Sequence, residues 1–332
     1  MPSQKPNNRR GSATGWVNVQ RKQRSRTRRK PNRSIRRRRR NASRRGWIKD
    51  IIRGGILQVQ SRDRSWFENM AKRMVDAQAP GLAGMIRELA NLNRSAETWH
   101  SDFLEQLTRI YLVTSGFKNK ELVNPALQDD LRTAIGFTQS QEELKKQPGI
   151  TDTWLVIGKQ VTEDDAITTE RFWLYGNRTQ KYALVLQFIV RGQGMEIILS
   201  PGAAFEGTIV YYPSAAPLRA IITEQKATKP VNNVNLFSGW NDVANQETQV
   251  NSLLPFSNER PYLVSGLTPV KYLERWWLKD EHGGIRHLRK TGNGLWKILA
   301  LSGGEPLDMA VVGKDDQFEP IGLWSDTHYK II

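Results

Sequence analysis

Nine arginines near the N-terminus have the chemistry to grip phosphate. They are Arg24, Arg26, Arg28 and Arg29, followed by the unbroken run Arg36, Arg37, Arg38, Arg39 and Arg40. A guanidinium is planar, permanently charged and pairs bidentately with phosphate oxygens. Each phosphate neutralised releases condensed counterions, so such binding falls steeply with salt. It carries no sequence information, because base edges are read only by an element positioned in a groove. The arginines therefore point to sequence-independent nucleic-acid contact. The competing reading is a solvated linker whose charge has no dedicated partner.

The charge is sharply segregated. Residues 1–46 hold 18 Lys and Arg and no Asp or Glu, while the whole chain of 332 residues holds 50 basic and 33 acidic residues. The remaining 286 residues are thus nearly neutral, with 32 basic against 33 acidic. The basic segment has few large apolar residues, among them Trp16, Val17, Val19 and Ile35. Such a composition cannot offset the entropy of ordering a chain, so it predicts a disordered tail over 1–46. The rest is apolar enough, with eleven Trp in the chain, to build a core.

Other chemistry is sparse. There is no cysteine, which removes disulfides, thiolate nucleophiles and Cys-based metal sites and fits a reducing cytoplasm. His282 and His287 flank Gly283-Gly284, with Glu281 as the nearby carboxylate. Zinc wants three or four ligands at fixed geometry, so two turn histidines are the expectation and no metal is assigned. Asp129-Asp130, Asp164-Asp165 and Asp315-Asp316 are adjacent acids. Neighbours in sequence point apart, so they do not form acid–base dyads. No phosphate-binding glycine loop and no nucleophile elbow is present. The expectation is a protein without a catalytic site or cofactor. Tyr211, Tyr212, Pro213 and Arg219 form an aromatic, proline-rich turn suited to partner docking, since Tyr and Arg are common interface anchors.

Along the body, residues 46–150 read as five or six packed helices. Trp47–Gln60 has helical apolar spacing. Ser65 and Glu68 form a capping box opening a helix with Trp66, Phe67, Met70, Met74 and Val75 inward. Pro80-Gly81 starts another helix carrying Leu82, Met85, Ile86 and Leu89. A helix over Ala96–Ser115 turns Phe103, Leu104, Leu107, Ile110 and Tyr111 inward and ends at Gly116. Asn124-Pro125 opens a helix to Ile135 with Gly136 beyond, and Ser140 with Glu143 offers a second capping box.

From Thr151 the pattern changes to short strands. They are Trp154–Val161, Thr168–Tyr175, Tyr182–Val190, Met195–Leu199, Phe205–Tyr212, Leu218–Thr223, Tyr272–Lys279, Leu295–Leu301, Leu307–Val312 and Ile321–Trp324, with one helix over Ser238–Asn251. Short spacing without long intervening helices predicts antiparallel sheet. The fold class is therefore α+β: a basic tail, a helical domain over 46–150 and a β-rich domain over 151–332. Arg171-Phe172-Trp173-Leu174 echoes Arg275-Trp276-Trp277-Leu278, which would mark two related β units or a coincidence. No apolar run approaches the roughly 18 residues needed to span a bilayer. Arg44-Arg45 mimics a twin-arginine signal, but Asp50 and Arg53 interrupt the uncharged apolar stretch that such a signal needs.

The stretch Ser65–Ala83 resembles the most recognisable segment of bacterial SWIM zinc-finger proteins. Ile135–Leu144, Tyr211–Ala220 and, more loosely, Leu299–Leu307 are similar to further signatures in the same order. Members normally begin with a Cys/His finger that binds zinc. This sequence has no Cys and resembles a member starting at the linker after the finger, so no finger residue carries over. The resemblance implies an adaptor role, in gene clusters with a MoxR-type ATPase or a von Willebrand A-domain protein as partner. Three readings stand side by side. The first is a cytoplasmic adaptor whose tail contacts nucleic acid. The second is a purely protein-binding scaffold. The third is a hydrolase or nuclease with an unfamiliar site.

Overall fold

The computed structural model describes residues 46–332 apart from 165–166, 191–197, 227–230, 232–233, 290–292, 315 and 326–327. The nine arginines, and the expected disorder around them, lie outside the described residues. Helices come first: α1 over 46–54, α2 Ile56–Gln60, α3 Arg64–Asp76, α4 Pro80–Asn91, α5 Trp99–Lys118, α6 Pro125–Ile135 and the short α7 Gln141–Leu144. Among the described residues no helix is long and apolar enough to cross a membrane.

Local chemistry sets these boundaries. Gly55, at φ 84°, splits the expected helix over Trp47–Gln60 into α1 and α2. The α3 cap is Asp63 rather than Ser65: Asp63 Oδ1 accepts from Trp66 N at 2.9 Å and from Ser65 Oγ at 2.9 Å. A carboxylate there outcompetes a hydroxyl for the free amides and suits the positive end of the helix dipole. Asn124 and Ser140 cap α6 and α7 as expected. Gly116 does not end its helix. It sits inside α5, where a β-carbon would come within 2.9 Å of Leu131 Cδ2. Val75, Leu104 and Tyr111, expected inward, are exposed: the buried stripe of α3 runs through Phe67, Met70, Ala71 and Met74, and that of α5 through Trp99, Phe103, Leu107, Ile110 and Val113.

Helix ends meet closely at Gly81 and Gly136. A β-carbon on Gly81 would lie 2.3 Å from Ala134 O. One on Gly136, at φ 108°, would lie 2.7 Å from Gly81 N and from Pro80 Cδ. The start of α4 thus rests on the end of α6 with no room for a side chain. The core around them gathers Phe67, Met70, Leu82, Ile86, Phe103 and Leu107.

Strands come next, in two rings. The first is β1 Ile150–Asp164, β2 Ile167–Gly176, β3 Tyr182–Val190, β4 Ala204–Tyr211 and β5 Arg219–Gln225, closed in the order β1-β2-β3-β5-β4. After helix α8 Trp240–Leu253 come β6 Arg260–Tyr272, β7 Arg275–Lys279, β8 Ile285–Leu288, helix α9 Asn293–Ser302, β9 Leu307–Lys314, β10 Gln317–Ser325 and β11 His328–Ile331. Here β6-β7-β8-β10-β9 closes through β6–β9 pairing, and β11 adds to β10. Both rings have the same wiring. Neighbours are antiparallel except for one parallel contact, β3–β5 in the first and β8–β10 in the second. This is the strand order of five-stranded Greek-key barrels of the OB type.

The tetrapeptide echo falls at one place in both rings. Trp173 pairs with Gly158 of β1 and Leu184 of β3, and Leu184 meets Arg219 of β5. Trp277 pairs with Val270 of β6 and His287 of β8, and His287 meets Gln317 of β10. In each barrel the residue before this Trp (Phe172, Trp276) and the Leu after it (Leu174, Leu278) point into the barrel core.

Three expected strands differ. Leu295–Leu301 is helix α9, whose Leu295 and Ile298 close one end of the second barrel. The run Leu295-Trp296-Lys297-Ile298-Leu299 fits either period, and the spacing of Leu295, Ile298 and Leu299 selects the helix. Of Met195–Leu199, residues 195–197 lie outside the described residues. Ile198 and Leu199 are not in a strand, and Leu199 packs into the first barrel. The expected strand over Tyr272–Lys279 is a hairpin turned at Leu273-Glu274, both with positive φ.

The Gly81–Gly136 junction yields a prediction. Gly136→Ala is expected to destabilise the protein by about 2–4 kcal/mol, from left-handed backbone strain plus overpacking. Gly84→Ala, inside α4 with open space around it, is expected to stabilise by about 0.5–1 kcal/mol. Urea unfolding of the two variants checks both signs.

Candidate functional site

The docking turn expected from sequence joins β4 to β5. Tyr212 N donates to Arg219 O at 2.9 Å, and the Arg219 guanidinium lies 4.5 Å from the Tyr212 ring centroid. Two neighbours pin the turn. Ala215 N donates to Asp130 Oδ2 of α6 at 2.7 Å. Arg260 of β6 donates from Nη1 to Ala216 O at 3.1 Å and from Nη2 to Pro217 O at 3.0 Å. The turn therefore joins the helical unit to both barrels. Pro213 is exposed and borders a cleft against α6 and α7, and Tyr211 faces a different space.

That space is a cavity of about 440 Å³ between the barrels, lined by Tyr175, Tyr182, Tyr211, Tyr262, Asn235 and Arg260 among others. Tyr211 Oη donates to Tyr182 O at 2.8 Å, and Tyr182 Oη accepts from Leu263 N at 3.0 Å. Burial pushes the Tyr175, Tyr182 and Tyr211 phenols above their ordinary value, so they stay protonated at neutral pH. Burial pulls the Arg260 guanidinium down from its ordinary value. The wall offers neutral hydroxyls, aromatic faces and two cations, Arg260 and Lys181. Of its residues the sequence pattern singles out Tyr211 alone. Tyr175 and Tyr182 carry a readable signal, because they alternate with core residues in strands whose inner face is already apolar, whereas Tyr262 belongs to the core of the second barrel.

The remaining candidates separate. His282 lies in the β7–β8 turn, where Asp280 accepts from His282 N, Gly284 N and, across to α8, Trp240 N. His287 lies on β8, edge-on to Trp277 at 5.3 Å. Among the described residues no three His, Cys, Asp or Glu side chains gather as a metal site would need. Asp165 and Asp315 are outside the described residues, and Asp316 sits 3.5 Å from Arg286. Asp129 stays beside Asp130 on α6.

Residues 42–135 match the family model described as a SWIM-associated four-helix bundle domain. The match covers most of the helical part and includes Ser65–Ala83, consistent with the resemblance read there to the body region of SWIM family proteins. No curated protein and no solved structure matches the chain.

A half-buried and a buried carboxyl give opposite pH predictions. Burial pushes Asp130 above its ordinary 3.8, despite hydrogen bonds from Ser214 and Ala215. Its protonation favours the folded state, a contribution present below pH 3.8 and lost as pH rises through the raised value. Asp152 of β1 is desolvated too. Bonds from the Thr179 hydroxyl and the amides of Arg178, Thr179 and Thr153 outweigh that and hold it below 3.8. Its stability is present above 3.8 and lost as pH falls through the lowered value. Asp152→Asn is expected to cost about 1–3 kcal/mol at neutral pH and to flatten the acid limb of the stability profile. Asp130→Asn, which keeps an acceptor and sheds a penalised charge, is expected to be neutral or stabilising there. Urea titrations at neutral and acid pH check both.

Proposed function

We propose that this chain is a non-catalytic adaptor that contacts nucleic acid through the basic segment 1–46 and holds protein partners through its body. The observation that carries the reading is charge segregation: 18 basic and no acidic residues in the first 46, on a body that is nearly neutral. The SWIM-associated domain supports it, since a module of SWIM family proteins adjoins that segment. The solvent-facing parts of the docking turn, Pro213 with the Tyr212–Arg219 pair, are the surface we assign to a protein partner. A MoxR-type ATPase or a von Willebrand A-domain protein is the kind of partner the resemblance implies, and the cytoplasm is the compartment.

The test uses the full chain with its nine arginines replaced by serine. Wild type is expected to lose on the order of 10³–10⁵ in duplex affinity between about 50 and 200 mM salt, as engagement of six to ten phosphates requires. The variant is expected to lose most of that salt dependence, measured by fluorescence anisotropy. An unchanged salt slope in the variant would sink the tail as the contact.

A further inference from the structure

The two barrels differ in one respect that their shared wiring makes plain. In the first, the outer face of β1 and β2 is buried: Leu155, Ile157 and Trp173 pack with Leu263, Ala310, Val312 and Ile321 of the second barrel. Trp173 is 1% exposed. In the second barrel the equivalent face, on β6, β7 and β8, has no barrel against it among the described residues. Its Trp277, at the position of Trp173, is only half-buried.

The pairing register gives the layout of that face row by row. Tyr272 is opposite Arg275, Val270 is opposite Trp277 and then His287, and Thr268 is opposite Lys279 and then Ile285. Tyr272 is 62% exposed and Ile285 is 43% exposed, while Arg275 and Lys279 are also exposed. Arg275 and Lys279 make no ion pair among the described residues and flank Trp277 on the same side of β7. None of these rows carries a carboxylate. Glu274, in the hairpin tip, is paired with Lys271 at 2.8 Å.

Aromatic rings interleaved with cations on a sheet face suit one ligand chemistry. Unpaired bases stack on Trp and Tyr, and Arg and Lys meet the phosphates between them. A duplex hides its bases and gains only the charge term. The second and third strands of five-stranded Greek-key barrels of this type form the face on which oligonucleotides lie, and β7 and β8 hold that position here. A fold is not a function, so the side chains must carry the assignment. The face is apolar and cationic at once, and the matching face of the first barrel is already occupied.

We propose that the outer face of β6, β7 and β8 binds single-stranded nucleic acid, with Tyr272 and Trp277 as stacking platforms and Arg275 and Lys279 as phosphate contacts. This shares with the functional reading above the class of ligand. It assigns a second, separate surface and a preference for unpaired strands.

The experiment compares a 20-nucleotide oligo-dT with a duplex of equal length on the full chain, at about 0.3 M salt to screen the arginine segment. Trp277→Ala and Tyr272→Ala are each expected to weaken single-strand binding about tenfold and leave duplex binding unchanged. Trp277→Phe, which keeps a ring, is expected to retain most of the affinity. The joint exchange Arg275→Gln with Lys279→Gln removes exposed charges without touching the core, so its effect does not depend on refolding a cavity. It is expected to weaken single-strand binding as well. The nine-arginine variant is expected to weaken both ligands and keep the preference for the single strand. The proposal is overturned if none of the face variants changes single-strand affinity, or if they weaken duplex and single strand alike. A failure confined to the nine-arginine variant bears on the basic segment instead.

Discussion

The packing of one barrel against the other is the constraint on which the rest of the β region depends. It requires both barrels to present an apolar outer surface as well as an apolar interior. Strand β2 therefore runs Phe172-Trp173-Leu174-Tyr175 with alternate residues serving two different cores. It also requires a place where the sheets can touch. Gly158 supplies it, since a β-carbon there would fall 2.6 Å from Ile321 Cδ1. Fully burying a side chain as large as Trp173 stabilises by about 2–3 kcal/mol. Polar ties fix the register over this apolar contact: Tyr182 Oη to Leu263 N, and the Tyr329 hydroxyl of β11 donating to Ile157 O of β1. The tyrosine-lined cavity is the edge of the same interface, where the two curved surfaces part.

The helical unit is coupled to this pair through a carboxylate. Asp130 points out of α6 and accepts Ala215 N, and Arg260 grips the next two carbonyls from the far side. A turn rich in Pro and Ala has few side chains able to satisfy its own backbone. Its polar groups are met from α6 and β6, which is why it can sit half-buried between three bodies. The aromatic and basic residues that made this turn look like a docking site are partly spent on holding it. Arg219 lies on Tyr212, and Tyr211 turns to the cavity.

Much of this is legible in the sequence where local chemistry decides structure. Asn124-Pro125, Gly136 and Ser140 mark helix ends because cap hydrogen bonds and positive φ are local demands. The change from helices to strands near residue 150 is legible from periodicity. Ser65 and Gly116 mislead for related reasons: a hydroxyl two residues past the true cap Asp63 looks like a cap itself, and a glycine needed for close approach looks like a glycine needed for a turn. Helix α9 is hidden because a short apolar run fits both periods. The tetrapeptide echo is visible but carries no weight alone. What gives it meaning is pairing register, which depends on residues distant in the chain. The cavity and the Asp130–Ala215 tie are products of tertiary packing and leave little local trace.

Charge and stacking obey different laws, and this matters for a chain that carries both. Attraction between exposed charges is screened beyond about 8 Å at physiological salt and is indifferent to the order of bases. Stacking of a base on Trp or Tyr is short-ranged, needs an unpaired strand, and survives salt far better. A basic segment alone would hold any polyanion and release it as salt rises. A rigid aromatic face alone would depend on slow, unsteered encounter. If both surfaces bind as proposed, their covalent linkage would raise the local concentration of nucleic acid at the second, so that modest affinities multiply without new contacts. The face is also held by a barrel whose interior Trp276 and Leu278 fix the strand that presents Trp277. Its geometry is therefore set before any ligand arrives, and little ordering entropy remains to be lost on binding.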